Sequence, residues 1–413
     1  MSGGLVTYGV SEATSPARRA STPHGAFNEL IYVHQVPLPG SAANTVQVAK
    51  MCDAFARAGA RTTLVQPAPS SDAGRRLAAY YGLSHPPKVA AGFAPKLPGR
   101  MLMFGLSACL RHASRRHSLI YTRSISVAYV AARLGYNVAI EMHEPLWGDK
   151  QNDRKRFERL IQARAFISLV VISEKLADWY AETCPALAGR IIVAHDGADP
   201  MMKPASPLDL QGDFRIGYTG HLYPGKGMEL IAAIAPLLPD VQLHVVGGRP
   251  EDISYWQDEL AKAGTGGNIT FHGHQPHSEV AGYIGSMDIV LAPYLRLVQG
   301  LGGKGRNLSD WMSPLKLFEY MGHGKAIVCS DLPVLREVLT DGVNARLANP
   351  DAPEEWVSAI RALHSSPETR VALGARARID FVEKYSWDRR AEHILDGLRK
   401  ARTLAAEAPR GQP

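Results

Sequence analysis

RIGYTGHLYPGKGME, residues Arg215 to Glu229, reads as a buried strand, a glycine-rich turn and a helix start that carries a lysine. This is the form of a phosphate cradle. Unpaired backbone N–H groups at a helix N-terminus point outward with the positive end of the helix dipole. Gly220, Gly225 and Gly227 keep side chains out of an anion's way, and Lys226 adds a full charge. Gly220 to Lys226 even fits the G-x-x-x-x-G-K start of a Walker A loop, but the next residue is Gly227, where that loop needs a Ser or Thr to hold Mg²⁺. The pattern therefore points to a phosphate held without that metal ligand.

Outward from this stretch, the second half repeats strand and helix. Strands are expected at Phe214 to Thr219, Gln242 to Val246, Asn268 to His272, Asp288 to Ala292, Ala326 to Ser330 and Asn344 to Leu347. Helices are expected from Met228, through Trp256, over Leu315 to Gly322, near Leu335, and from Ala352 to Ala406. The first half shows the same rhythm, with strands at Glu29 to Val36, Arg61 to Gln66, Ser118 to Tyr121, Asn137 to Met142, Phe166 to Ile172 and Ile191 to Ala194. A helix over Thr45 to Ala58 follows the first of them. Such alternation predicts parallel sheets covered on both faces, hence an α/β chain of two doubly wound, Rossmann-like domains. HDGADPMMKPASPLDLQGD, rich in Pro, Asp and Gly, marks the linker. We expect a leader over 1–27, an acceptor-side domain over 28–205, a nucleotide-binding domain over 206–385, and a last helix and tail over 386–413. That helix is expected to pack back on the first domain. Ligands collect outside the carboxyl ends of such strands, so the cleft between the domains is the expected site.

The 413 residues carry a net charge of +7, unevenly placed. Met1 to Ala205 holds 24 Lys and Arg against 14 Asp and Glu, and the remainder 22 against 25. The first half is therefore at +10 and the second at −3, which suits an anionic partner such as a lipid headgroup or a phosphorylated acceptor, or simply a basic soluble surface. No interleaved aromatic and basic platform suggests nucleic acid. Cys52, Cys109, Cys184 and Cys329 are far apart, without the spacing of a zinc site or a disulfide framework. No apolar run reaches the roughly 18 residues of a spanning helix. The first residues are small and polar, as in a disordered leader without an apolar signal core.

The densest cluster of chemistry is SPLKLFEYMGHGK, Ser313 to Lys325. Pro314 suits a helix start and Ser313 an N-cap, so a second helix N-terminus, with Lys316 in its first turn, becomes available to phosphate. A cation there opposes the helix dipole unless an anion sits between them. The alternative is a solvent-facing lysine whose stem covers apolar surface. Glu319 lies one turn beyond Lys316. It can pair with that lysine, or accept hydrogen bonds from the vicinal hydroxyls of a ribose.

SPLKLFEYMGHGKAIVCSDLPVLREVLTDGVNARLANPD resembles the donor-binding half of glycosyltransferase family 4, whose GT-B enzymes take a sugar from a nucleotide diphosphate. The likeness extends to TGHLYPGKG, the Asp196-Gly197-Ala198-Asp199 turn, FHGH, SMDIVLAPY and YSWDRRAEHIL, and more loosely to PGSAAN and EMHEP in the first half. It implies that Lys226 contacts the donor diphosphate and that Glu319 is the second glutamate of the family's E-x₇-E pair, binding ribose. The first glutamate's position holds Trp311, and His221 stands where many members have a diphosphate-binding arginine. Lys316, the amides of Leu315 and Lys316 after Pro314, and Arg296, Lys304 or Arg306 of the long glycine-rich loop are expected to make up the charge. Gly40 and Ser41 resemble the small-residue loop beside the donor phosphates; a tight connection without a ligand fits the same letters. His143 resembles the histidine that contacts the transferred sugar or the acceptor, with Glu144 beside it, and the alternative is a histidine bonded to nearby backbone.

The resemblance implies a retaining, metal-independent glycosyltransferase that needs no cofactor beyond its nucleotide-sugar co-substrate. It would act in polysaccharide or glycoconjugate synthesis, with Lys226 and His143 carrying the catalysis. Other readings are a nucleotide-sugar epimerase, a phosphorylase, or a non-catalytic nucleotide-sugar-binding subunit. AGFAPKLPGRMLMFGLSACLRHASRRH, Ala91 to His117, joins an apolar helical middle to basic ends. It suits either a core helix with a solvated end or peripheral docking on an anionic membrane where lipid-linked acceptors reside. A cytoplasmic protein, at the inner membrane face in the second case, is the expected setting.

Overall fold

The computed structural model describes residues 27, 29–40, 42–114, 117–146, 151–200, 208–299 and 306–407. Most of the expected leader, Ser41, Met201 to Pro207 and Lys304 lie outside the described residues. Seven parallel strands form the first sheet: β1 (Glu29–Val33), β2 (Arg61–Pro67), β3 (Lys88–Gly92), β4 (Ser118–Thr122), β5 (Asn137–Met142), β6 (Phe166–Val171) and β7 (Ile191–Val193). Their order is β3-β2-β1-β4-β5-β6-β7. Six more form the second: β8 (Arg215–Thr219), β9 (Gln242–Val246), β10 (Ile269–Gly273), β11 (Ile289–Ala292), β12 (Ala326–Ser330) and β13 (Arg346–Ala348), in the order β10-β9-β8-β11-β12-β13. Central strands such as SLIYT and FISLVV are buried at every residue, as expected of strands covered by helices on both faces. Both are doubly wound α/β sheets.

Strand order reverses between β1 and β4 in the first sheet and between β8 and β11 in the second. A crevice opens outside the carboxyl ends of the strands at such a point. In the second sheet the residues after those ends are Gly220 and Pro293, in the first His34 and Arg123.

The sequence reading missed β3. KVAAG is short, alanine-rich and starts with a lysine, so only its place at the sheet edge makes it a strand. The first strand stops at Val33, short of Val36, and the helix expected near Leu335 is a single 3-10 turn, Leu335–Glu337. The long final helical stretch is three helices, Pro353–Ser365, Pro367–Asp380 and Trp387–Glu407, with a π turn at Phe381–Tyr385. The last helix sends Trp387, Ala391, Ile394, Leu395 and Leu398 into the apolar layer over the first sheet. Its start is tied to the crossover, where Trp387 N–H donates to the Ala198 carbonyl and Ala198 N–H to that of Tyr385. Gly197 is required there, since a Cβ would stand 2.6 Å from the Tyr385 oxygen. No helix among the described residues is long and apolar enough to cross a membrane.

Candidate functional site

Helix Leu315–Gly322 is aligned on the end of β8 by Tyr320, whose hydroxyl accepts the Thr219 N–H at 2.8 Å. That alignment carries Lys316 beneath Gly220. The lysine is only 9% exposed, its Nζ lies 3.7 Å from the centroid of Tyr218 and 5.3 Å from that of Tyr294, and it donates no hydrogen bond among the described residues. Gly220 has φ +135°, and a Cβ there would meet Lys316 Nζ at 3.0 Å. Lys226 Nζ lies 5.4 Å from the centroid of the same Tyr294 ring. Burial lowers its pKa from 10.5 to about 8. Lys316 is pushed well below its ordinary value by burial and then by Lys226, against a smaller opposing effect of Glu319. The Lys316 Nζ is poorly satisfied by rings alone, and an anion reaching both lysines would satisfy it.

Several sequence expectations change here. Gly225 and Gly227 have φ of +80° and +109°, but the atoms a side chain would strike are the Leu297 oxygen at 1.9 Å and the Pro293 oxygen at 2.2 Å. These glycines let the loop pack on the segment after β11. Ser313 is no N-cap: Pro314 holds that position, and Ser313 Oγ accepts the Asp196 N–H at 2.8 Å. Leu315 packs against the first half's apolar layer. His221 stacks on Tyr223 at 4.8 Å, and burial, then Lys226 and Lys316, lower its pKa, so a neutral imidazole stands in place of an arginine. Arg296 is turned away to Asp351 at 2.5 Å and Asn349 at 3.2 Å, and Arg306 lies 3.6 Å from Glu144. Trp311 packs on the first half's core, its carbonyl accepting from Ser173 at 3.1 Å.

Across the cleft, Gly40 is clamped within the first half. Its N–H donates to the Tyr81 hydroxyl at 2.7 Å, and its carbonyl accepts from Thr45 Oγ1 at 2.7 Å. His143, one residue past β5, donates Nε2–H to Glu141 at 2.5 Å. Its bond is therefore to a carboxylate, where the sequence reading allowed backbone. Burial and then Arg123 lower the His143 pKa, which keeps the ring neutral. Glu144 offers its carbonyl to the Tyr180 hydroxyl at 3.1 Å.

Sequence reasoning missed Glu141, Asp196 and Arg390 as a group. All three are quoted above only inside separate motifs, and Arg390 lies 249 residues from Glu141. Polar atoms of Glu141, His143 and Asp196 lie within 4.8 Å of one another, close enough for a metal ion. The Arg390 guanidinium, 3.0 Å from Glu141 and 3.7 Å from Asp196, already supplies the positive charge there.

The strand-end loops of the two sheets meet through the contacts Asp196 to Ser313, Ser173 to Trp311 and Glu144 to Arg306. Glu337 from the second half also accepts the N–H groups of Glu174 and Lys175, at 2.7 and 3.0 Å, at the start of a first-half helix. The lysine cradle and the histidine cluster thus border one cleft.

Residues 213–366 match the family described as glycosyl transferases group 1. A phosphatidyl-myo-inositol mannosyltransferase of Mycolicibacterium smegmatis is 29% identical over 231 residues, 54% of this chain and 54% of the relative. A D-inositol 3-phosphate glycosyltransferase of Mycolicibacterium gilvum is 24% identical over 248 residues, 56% of this chain and 52% of the relative. The chain spans about half the length of these curated relatives. Among solved structures, a glycosyltransferase from Rickettsia africae superposes with TM-score 0.70 at 12% identity, covering 91% of this chain and 98% of the other. HepE of Anabaena, in complex with UDP and glucose, gives 0.67 at 16%, covering 90% and 99%. The chain has the GT-B fold, and its residues 213–366 match the group 1 glycosyl transferases, similar to family 4.

Proposed function

We propose that the protein is a retaining glycosyltransferase that moves a sugar from a nucleotide diphosphate to an acceptor hydroxyl, in polysaccharide or glycoconjugate synthesis. The observation that carries this reading is the Lys316 Nζ, buried under Gly220 without a hydrogen-bond partner among the described residues, with the Lys226 Nζ near the same Tyr294 ring. A diphosphate is the anion of matching charge. Glu319, one turn along the same helix, accepts from the ribose hydroxyls. As the bond between the anomeric carbon and the phosphate oxygen breaks, charge grows on that oxygen, and the two lysines stabilise it where it develops. The acceptor oxygen bonds to the anomeric carbon from the same face, and its proton passes to the departing diphosphate. The lysines fill the role a divalent cation would have, so turnover is expected in chelator. Nucleoside diphosphates and their sugars, screened by thermal shift, identify the donor, because a tight ligand raises melting in proportion to its affinity. Lys226→Ala should fold normally and lose most transfer in chelator-treated assays. Full activity in that variant would sink the reading, and tight donor binding without turnover would favour a non-catalytic subunit.

The acceptor is lipid-linked in this reading, taken up at an anionic membrane on the cytoplasmic side. Helix Arg100–His112 buries Phe104, Gly105, Ala108 and Cys109, yet its opposite face exposes Met103, Leu106 and Leu110. Phe93 and Leu97 add to that apolar surface at 53% and 60% exposure, and Lys96, Arg100 and Arg111 flank it. The segment follows the carboxyl end of β3, the end of the sheet on which the cleft opens. A named relative acts on phosphatidyl-myo-inositol. The chain should float with anionic vesicles and lose binding on Leu106→Glu with Leu110→Glu; no flotation with such vesicles would exclude membrane docking.

A further inference from the structure

Glu141 is fully buried at the carboxyl end of β5, and its carboxylate accepts four side-chain hydrogen bonds. Gln47 and His143 donate to Oε1 at 2.6 and 2.5 Å, and the Tyr121 hydroxyl donates to Oε2. The fourth donor, Arg390 Nη2 at 3.0 Å, comes from helix Trp387–Glu407, nearly 250 residues later. Arg390 is itself 2% exposed, and its Nε donates to the carbonyls of His195 at 2.9 Å and Ala194 at 3.3 Å. Its guanidinium also faces Asp196, whose N–H donates to Ser313, the residue before Pro314. One side chain thus joins the cleft histidine, the crossover and the approach to the Lys316 helix.

Gln47 and Tyr121 would bond equally well to a protonated Glu141. The arginine is what decides the charge. Burial alone would push this carboxyl up, yet Arg390, and then His143, bring it well below the ordinary range. The ionised carboxylate accepts only, so His143 must donate Nε2–H to it, and a neutral imidazole then keeps its lone pair on Nδ1. A protonated Glu141 could donate instead, and the ring would reverse its roles.

We propose that Arg390 is a positioning residue for His143: by holding Glu141 as an acceptor-only carboxylate, it fixes the imidazole as the Nε2–H tautomer and leaves Nδ1 to accept a hydrogen bond from a hydroxyl of the sugar or acceptor. The C-terminal helix thereby completes the acceptor side of the cleft. The hydroxyl rests on the glycosyltransferase reading above; the tautomer does not.

The test uses the full chain labelled with ¹⁵N-histidine. Long-range proton–nitrogen spectra at neutral pH report each ring's tautomer, and the His143 signals are those lost in His143→Gln. Wild type should show a protonated Nε2 and a bare Nδ1, and the opposite tautomer would overturn the proposal whether or not a transfer reaction is found. Arg390→Met combined with Glu141→Gln avoids stranding a buried charge. It should lose the single tautomer and lower kcat roughly 10²-fold, the scale of a misplaced contact group, with nucleoside diphosphate affinity unchanged by calorimetry. Arg390→Lys should keep the tautomer and restore most of kcat. A purely packing role predicts a lower melting temperature with tautomer and kcat unchanged, and that result in the double variant would refute the assignment. Should the double variant not fold, the wild-type spectrum still decides.

Discussion

The two sides of the cleft treat buried charge in opposite ways. On the second-half side, the Lys316 Nζ lies against Tyr218 with no hydrogen bond among the described residues. On the first-half side, Glu141 is still more buried and has four donors, one of them a guanidinium. A buried charge without partners holds a place for a ligand at the expense of stability, whereas a fully bonded one sets geometry. Substitutions should therefore separate the two sides by their effect on the empty protein.

The sharpest break comes from Arg390→Met alone. Removing one partner of a buried pair strands the other, so the loss should be about 3–5 kcal/mol of unfolding free energy. Denaturant titration reads it directly, and a neutral result would mean that Glu141 is not ionised. Lys316→Met is the mirror case. The lost cation–π contact is worth about 2 kcal/mol at most, and the relieved desolvation is at least as large, so the empty protein should melt no lower than wild type. Transfer, by contrast, should fall about 10²–10³-fold, as when a donor to developing negative charge is removed. A destabilised variant that still transfers would erase the contrast.

The same difference has a pH signature. Lys226 titrates at about 8 in the folded protein against 10.5 ordinarily. Between those values the unfolded chain holds a proton that the empty folded protein has released, so stability rises with pH across that window and is insensitive to this group below it. A bound diphosphate returns the lysine towards its ordinary pKa, so above pH 8 binding must take up a proton. Affinity for nucleoside diphosphate should then weaken by up to about tenfold per pH unit. Lys316, lowered in the same direction, adds to the trend. Calorimetry in two buffers of different ionisation heat measures the uptake, and a flat profile from pH 7 to 10 would show the lysines to be clear of the ligand.

How much of this was legible in the letters follows the same divide. The cradle is local: β8, its glycine turn and Lys226 lie within fifteen consecutive residues, and Lys316 follows a recognisable Ser-Pro. Both sheets were legible because Val, Ile and Leu runs alternate with helical stretches, and only the short, alanine-rich β3 escaped. The roles of Gly225 and Gly227 were misread because Pro293 and Leu297 approach them from another part of the chain. Ser313 was misread because its partner, Asp196, lies 117 residues away. Apart from His143, two residues on, the Glu141 network is non-local. Its donors at 47, 121, 143 and 390 share no spacing, so the first-half site could be seen only as a histidine after a strand.

The smallest expected effect concerns what holds the two sides together. Glu337 caps the helix Glu174–Thr183 from the other half, taking the Glu174 and Lys175 N–H groups on separate oxygens, and receives His195 Nε2 at 2.8 Å. A carboxylate at a helix N-terminus contributes about 0.3–1 kcal/mol when exposed and up to about 2 when partly buried. Glu337 is 11% exposed, which favours the upper range. Glu337→Gln keeps one accepting oxygen and loses the charge, so the closed arrangement of the halves should weaken by about 1 kcal/mol. If donor binding needs that arrangement, its KM rises by up to about fivefold while kcat at saturation is nearly unchanged. An increase in the radius of gyration without nucleotide, reversed by saturating nucleotide, would accompany it. Unchanged KM and unchanged scattering would show that Glu337 only caps a helix and that the two sides of the cleft are held by the crossover and the other contacts between the halves.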